Sequence, residues 1–252
     1  VYAPGTRELL RVQWRDGNFY LVGAGGFDDY IEGLAVTPAG HVVAVGETYG
    51  QAFGMAGHTD GCWDGIAMQY TADLTTQLWG TQYNCNPPDQ TGMDFYDVAV
   101  DAAGDLFVAG DASGGMGTEA GVGDWDATVI KLSGVDGGIM WARVLGTPGY
   151  DSAAAIALHG GSIYLVANVT GDVGGYVSQG TSDIVVAIYT SSGTRTAVYG
   201  VGSVKVDYPS DIAVTSTGRI AIAGLARDSF GGQVASGSDD IVVGVNPWVV
   251  AP

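Results

Sequence analysis

The sequence predicts an all-β fold, a β-propeller of four-stranded antiparallel blades with about four to five blades in this chain. Three observations lead there. A short apolar-Ala-apolar run recurs every 56 to 64 residues, starting at Leu34, Val98, Ile156 and Ile212. Glycine is abundant, at 42 of 252 residues, and acidic residues are almost all Asp. The good helix formers are scarce, with 9 Lys+Arg in all and Glu only at Glu8, Glu32, Glu47 and Glu119. Gly reaches positive φ and Asp bonds its own backbone, so this mixture suits many tight turns between short strands.

The repeat gives the elements in order. Strand A is Leu34-Ala35-Val36, Val98-Ala99-Val100, Ile156-Ala157-Leu158 and Ile212-Ala213-Val214. A turn carrying Gly40, Gly104, Gly161 or Gly218 follows, and strand B begins at Val42, Leu106, Ile163 and Ile220. Strand C opens on an Asp in each copy: Asp64, Asp126, Asp183 and Asp240. Strand D carries an aromatic, Trp79, Trp141 or Tyr199, before a loop reaches Asp94, Asp151 or Asp207 and the cycle restarts. Strands A and B are nearly continuous apolar runs, the pattern of strands covered on both faces. Blades sandwiched around an axis supply that cover, and a β-helix has shorter rungs than this period.

One domain over 1–252 is therefore expected, with C–D strands at 8–24 and repeats at about 29–84, 94–147, 151–202 and 207–247. The inventory runs C–D, three full units, then A–B–C. A piece of a longer array, an imperfectly closed ring, or a strand supplied by a neighbouring molecule would each account for it, because an unpaired blade edge invites pairing.

These motifs resemble the bacterial seven-bladed β-propeller repeat (SBBP) family of secreted and surface proteins. The clearest copy is Asp97 through Gly146, with Val98-Ala99-Val100-Asp101, Leu106 to Gly110, Asp126 to Leu132 and Trp141 to Gly146. Asn168 and Asn84 depart from the pattern, the first where a residue just after Gly is expected, the second in place of the Gly after strand D. The resemblance implies the propeller fold and an extracellular or cell-surface address. It supplies no catalytic residues.

Composition narrows the partners. An apolar fraction of 46% fills a core despite a net charge of -18. That charge disfavours nucleic acid, whose phosphates need a basic face. No apolar run nears the ~18 residues of a membrane span, so no membrane insertion is expected. Other protein chains and surface glycans remain as partners, together with self-assembly into a homo-oligomer or filament. The overall expectation is a non-enzymatic surface, structural or adhesive module. A lectin, and a secreted hydrolase or lyase, are the alternatives.

Site candidates come from the loops. Cys62 lies in a B–C loop and Cys85 in the D–A loop of the same blade; such loops emerge on one face, so a disulfide is expected, as an oxidising compartment permits. Five of the 23 Asp (Asp16, Asp73, Asp101, Asp105, Asp136) fall on the A–B and C–D face and the rest on the opposite one, which should be acidic. Clustered carboxylates there could bind calcium, with Asp60 and Asp64, Asp124 and Asp126, and Asp239 and Asp240 as the pairs, although no cofactor is required. The competing reading is that Asp64, Asp126, Asp183 and Asp240 hold loop N–H groups. His41, His58 and His159 show no zinc or triad spacing. Tyr49, Trp63, Trp125 and Tyr176 could stack on sugar rings, but the repeat of Trp just before strand C at Trp63 and Trp125 favours packing.

Overall fold

The computed structural model describes residues 10–14, 17–21, 28–50, 52, 63–83, 92–116, 118–230, 233–234 and 240–245. Every element among these described residues is a strand. A hairpin of β1 (Leu10–Trp14) and β2 (Gly17–Leu21) comes first. The first four-stranded antiparallel sheet is β3 (Asp29–Val36), β4 (Val42–Thr48), β5 (Asp64–Tyr70) and β6 (Gln77–Tyr83). The second begins with β7 (Met93–Val100) and β8 (Leu106–Ala112); a small ribbon of β9 (Gly115–Met116) and β10 (Glu119–Ala120) follows, then β11 (Asp126–Leu132) and β12 (Ile139–Leu145) complete it. The third is β13 (Ser152–His159), β14 (Ser162–Val169), β15 (Asp183–Thr190) and β16 (Arg195–Val201). The last has three strands, β17 (Asp207–Val214), β18 (Ile220–Ala226) and β19 (Asp240–Val245).

Local chemistry fixes the hairpins. Between A and B strands, Thr37, Asp101 and Thr215 each accept a bond from the amide four residues on, at His41, Asp105 and Arg219. The intervening Gly40, Gly104 and Gly218 adopt φ near +80 to +90°, a region that favours glycine. The third sheet makes the same reversal with Gly160 and Gly161, both at positive φ.

The sheets stack because both faces of the middle ones are apolar. Val43, Val45 and Ala67 of the first sheet meet Phe95, Val98 and Ile130 of the second. Phe107, Ala109 and Val129 of the second meet Ile156, Leu165 and Val185 of the third. Val166, Ile184 and Val186 of the third meet Ile212 and Ile222 of the last. Each such large side chain contributes about 1.5–3 kcal/mol on burial. The A strands touch in succession, β3 to β7, β7 to β13 and β13 to β17.

Polar contacts set the register of this stack. At the start of successive A strands the amides of Met93, Asp151 and Asp207 donate to the carbonyls of Trp63, Trp125 and Ser182, at 2.9, 2.8 and 2.9 Å. At the outer edge, D strands bond the C–D turn of the next sheet. Trp79 Nε1 donates to Gly134 O and Tyr83 Oη to Gly137 O; Trp141 Nε1 donates to Ser191 O and Arg143 Nε to Gly193 O.

Two alignments shift. The counterpart of Asp151 and Asp207 is Met93, since each stands opposite the residue of the B strand that pairs with strand C's Asp; Asp94 lies one residue later. Tyr199 pairs with Val186, so Ala197 and not Tyr199 occupies the place of Trp79 and Trp141. A one-residue bulge recurs in every A strand, at Ile31/Gly33, Phe95/Asp97, Ala153/Ala155 and Pro209/Asp211. Bulges of this kind bend and twist a strand.

Candidate functional site

The Asp residues that open strands are structural anchors. Asp64, Asp126, Asp151, Asp183 and Asp207 are all buried. Asp126 Oδ2 accepts from the amides of Val122 and Gly123, at 2.7 and 3.3 Å. Asp183 Oδ2 accepts from the Gln179 amide and the Ser178 hydroxyl, and Asp64 Oδ2 from Gln82 Nε2. Asp151 collects the Thr170 amide together with the amide and hydroxyl of Thr147; Asp207 does the same with Ser203. Asp240 opens β19 in matching register, opposite Ala226.

Asp126 and Asp183 each keep one buried oxygen, Oδ1, without a donor. Those oxygens lie against Gly146 and Gly202, where an added Cβ would come within 1.7 Å, so the space holds a hydrogen and nothing larger. Asp124 is exposed. Among the described residues no three His, Cys, Asp or Glu side chains are grouped to hold a metal ion. Asp60, Asp239, Cys62, Cys85 and His58 lie outside the described residues.

Aromatic side chains near the loops pack against the protein. Trp63 meets Tyr30 and Tyr49, with ring centroids 5.7 and 5.2 Å away. Trp125 contacts Tyr150 and covers Gly92, and Tyr176 covers Gly200. His41 Nδ1 is bonded to Gln69 Nε2.

The structure brings together a group that the sequence reading did not single out. Glu47 on β4, Asp94 and Tyr96 on β7, and Asp111 on β8 converge where the first three sheets meet. Tyr96 Oη donates to Asp111 Oδ2 at 3.1 Å and lies 3.4 Å from Asp94 Oδ2, while Asp111 Oδ1 accepts the Ala153 amide of the third sheet at 2.7 Å. Burial is the largest influence on each of these carboxyls, and their acidic neighbours add to it. Burial, then the Asp94 charge facing it, pushes Glu47 up to about 8. Burial pushes Asp111 to about 7 and raises Asp94. Tyr96 is held far above its ordinary value by burial and then by Asp111, and Tyr150 nearby rises to about 12. The signal was a register one: Glu47, Asp111 and Asn168 occupy the same place in three otherwise apolar B strands.

A cavity of about 500 Å³ lies at the other end of the strands, between the second and third sheets. Val100, Phe107, Leu158 and Ile163 line it with Asp101, His159, Ser162 and Ser191. Asp111 stands four residues beyond Phe107 on β8, about 13 Å along the strand. Cavity and raised-pKa carboxyls therefore do not coincide.

No family model and no curated protein sequence matches the chain. Among solved structures, BamB from Moraxella catarrhalis is similar over 84% of this chain and 71% of that one, at 12% identity and a TM-score of 0.29.

Asp126→Asn should lower stability by about 1–3 kcal/mol, since a buried acceptor of two amides is weakened. Denaturant unfolding should show the same loss in millimolar calcium and in chelator; a calcium-induced stabilisation that the variant abolishes would contradict the anchoring role. A carboxyl whose pKa is raised by folding holds a proton that the unfolded chain has already released. Its stabilisation is full below the ordinary carboxyl range and is lost as pH climbs to about 8 for Glu47 and about 7 for Asp111. The melting temperature should therefore fall between about pH 5.5 and about pH 8.5. Glu47→Gln should melt higher than the parent at the upper pH and show a flatter profile. Superimposable profiles would refute this.

Proposed function

We propose that the stacked sheets form an arc of a β-propeller serving as a non-enzymatic extracellular module, structural or adhesive in role, that presents its loops to other chains. The supporting observation for the arc is the repeated contact of each A strand with the next, with the amides that open β7, β13 and β17 bonded to carbonyls at the start of the preceding sheet's C strand. The non-enzymatic clause draws on the separation just described. The raised-pKa carboxyls pack at sheet junctions, and the cavity near Phe107 and His159 lies about four residues away along β8, with none of those carboxyls in its lining. The acidic loop face is milder than a count of Asp suggests, because the strand-opening Asp residues are buried in loop anchors. The extracellular address follows the resemblance of the repeat.

The cavity favours carbohydrate binding as a second reading. An apolar floor of Phe107 and Leu158 suits the C–H face of a sugar ring, and Asp101, His159, Ser162 and Ser191 suit its hydroxyls.

A panel of polysaccharide and glycopeptide substrates should survive incubation with the protein, and the protein should be labelled by membrane-impermeant reagents on intact producing cells. Turnover that disappears in Asp94→Asn would overturn the non-enzymatic reading. On a glycan array the lectin reading expects binding that Ser162→Trp, which fills the cavity, removes; no glycan binding by the parent would sink that reading alone.

A further inference from the structure

The cavity between the second and third sheets has a cause in the turns that frame it. The A–B turns of the first, second and last sheets take up residues 37–41, 101–105 and 215–219. The third sheet reverses on Gly160 and Gly161 alone, where an added Cβ would meet no atom within 4 Å. A turn without side chains leaves space beside the fuller turn of the second sheet, and the cavity of about 500 Å³ opens there. That volume falls within the ~300–1,000 Å³ of small-molecule sites.

Asp101 stands on its wall with a charge that the turn does not require. Thr37 and Thr215 hold the matching turns with a neutral hydroxyl, which accepts the His41 and Arg219 amides at 3.1 and 3.0 Å. Asp101 does this work with Oδ1 alone, which accepts the Ala103 and Asp105 amides at 2.9 and 3.0 Å. Its Oδ2 accepts no hydrogen bond among the described residues, and Lys131 Nζ stands 3.9 Å from it. Lys131 is instead paired with Asp105 Oδ2 at 2.8 Å, lies over the Phe107 ring, and is only 12% exposed. Two carboxylates against one ammonium leave a net negative charge at the wall, and His159 is the other titratable group on the lining. In the first sheet Gln69 and His41 take the places of Lys131 and Asp105 and bond each other at 2.8 Å, so no such charge stands there.

We propose that the cavity receives a pyranose ring bearing a free amino group, with its ammonium on Asp101 Oδ2 and its C–H face on Phe107 and Leu158. Ser162 and Ser191, both of the third sheet, supply hydroxyls for those of the ring. This rests on the carbohydrate reading of the cavity and names the class of sugar. A hydrogen bond between ionised partners is about twice as strong as a neutral one, and the apolar wall beside it lowers the local dielectric. The turn amides already fix Asp101, so binding orders little that was free. N-acetylation removes the positive charge, and a hydroxyl at the same ring position never carries one. The site therefore discriminates against both. At long range the net charge of -18 favours a cationic ligand.

Isothermal titration calorimetry with the methyl glycosides of glucosamine, N-acetylglucosamine and glucose, each at millimolar concentration, tests this. The amino glycoside should bind the parent at least about tenfold more tightly than the other two. Asp101→Asn keeps an acceptor for the turn amides, so its melting temperature should stay close to that of the parent. Its affinity for the amino glycoside should fall about tenfold, with the other two unchanged. Ser162→Trp, which fills the cavity without altering charge, should abolish binding of all three. Asp73→Asn makes the same change in net charge at an exposed turn of the first sheet and should leave the affinities as they are. Equal binding of the three glycosides overturns the inference and leaves the carbohydrate reading standing; binding of none overturns both. An amino preference that survives Asp101→Asn, or that Asp73→Asn also removes, would belong to overall charge and overturn the inference as well.

Discussion

Apolar packing of one sheet on the next is the interaction from which the rest of this structure follows. A four-stranded meander of this composition has two oily faces and cannot satisfy both alone. Stacking solves it, and stacking with a twist at each bulge turns the sheets progressively. The small residues of the A strands then make sense. Ala35, Ala99, Ala157 and Ala213 occupy equivalent places on β3, β7, β13 and β17, strands that touch one another in succession. Glycine serves a close approach within the sheet, beside the A-strand bulge: a Cβ on Gly46 or Gly110 would come within 1.9 or 2.2 Å of the carbonyl of Tyr30 or Asp94.

Polar groups in this molecule are secondary to that packing but decide its register and its response to pH. The strand-opening Asp residues trade water for loop amides, which is how so acidic a chain buries so many carboxylates. Glu47, Asp94 and Asp111 are different, because burial and the neighbouring carboxyls outweigh the donors that reach them. Protonation is then the inexpensive state, and the junction of the first three sheets becomes sensitive to pH near neutrality. With only 9 Lys+Arg in the chain, cations for such junctions are scarce; Lys131, between Asp101 and Asp105, is one of the few committed to a carboxylate pair.

Much of the architecture was legible in the repeat. The openings of strand C at Asp64, Asp126, Asp183 and Asp240 coincide with the starts of β5, β11, β15 and β19. The A–B turns fall at the glycines that mark them. Less legible were features that depend on register across strands. The bulges at Glu32, Tyr96, Ala154 and Ser210 carry no shared residue type, so nothing in the sequence announces them. The bulge and the following loop length set which Asp faces where, and Asp94 slipped by one place for that reason. Glu47 and Asp111 were hidden among strands whose apolar runs drew attention away from a single polar position. The expected disulfide between Cys62 and Cys85 falls on residues the structure does not describe.

Hydrogen exchange at three backbone amides tests the stacked-sheet account most directly. Met93, Asp151 and Asp207 lie at strand entrances, where amides facing loops ordinarily exchange fast. Each instead donates across a sheet boundary, so all three should be protected to the level of mid-strand amides such as those of Val108 and Val166. Exchange of those three at loop rates, with the mid-strand amides still protected, would mean that the sheets fold individually without being joined in this register.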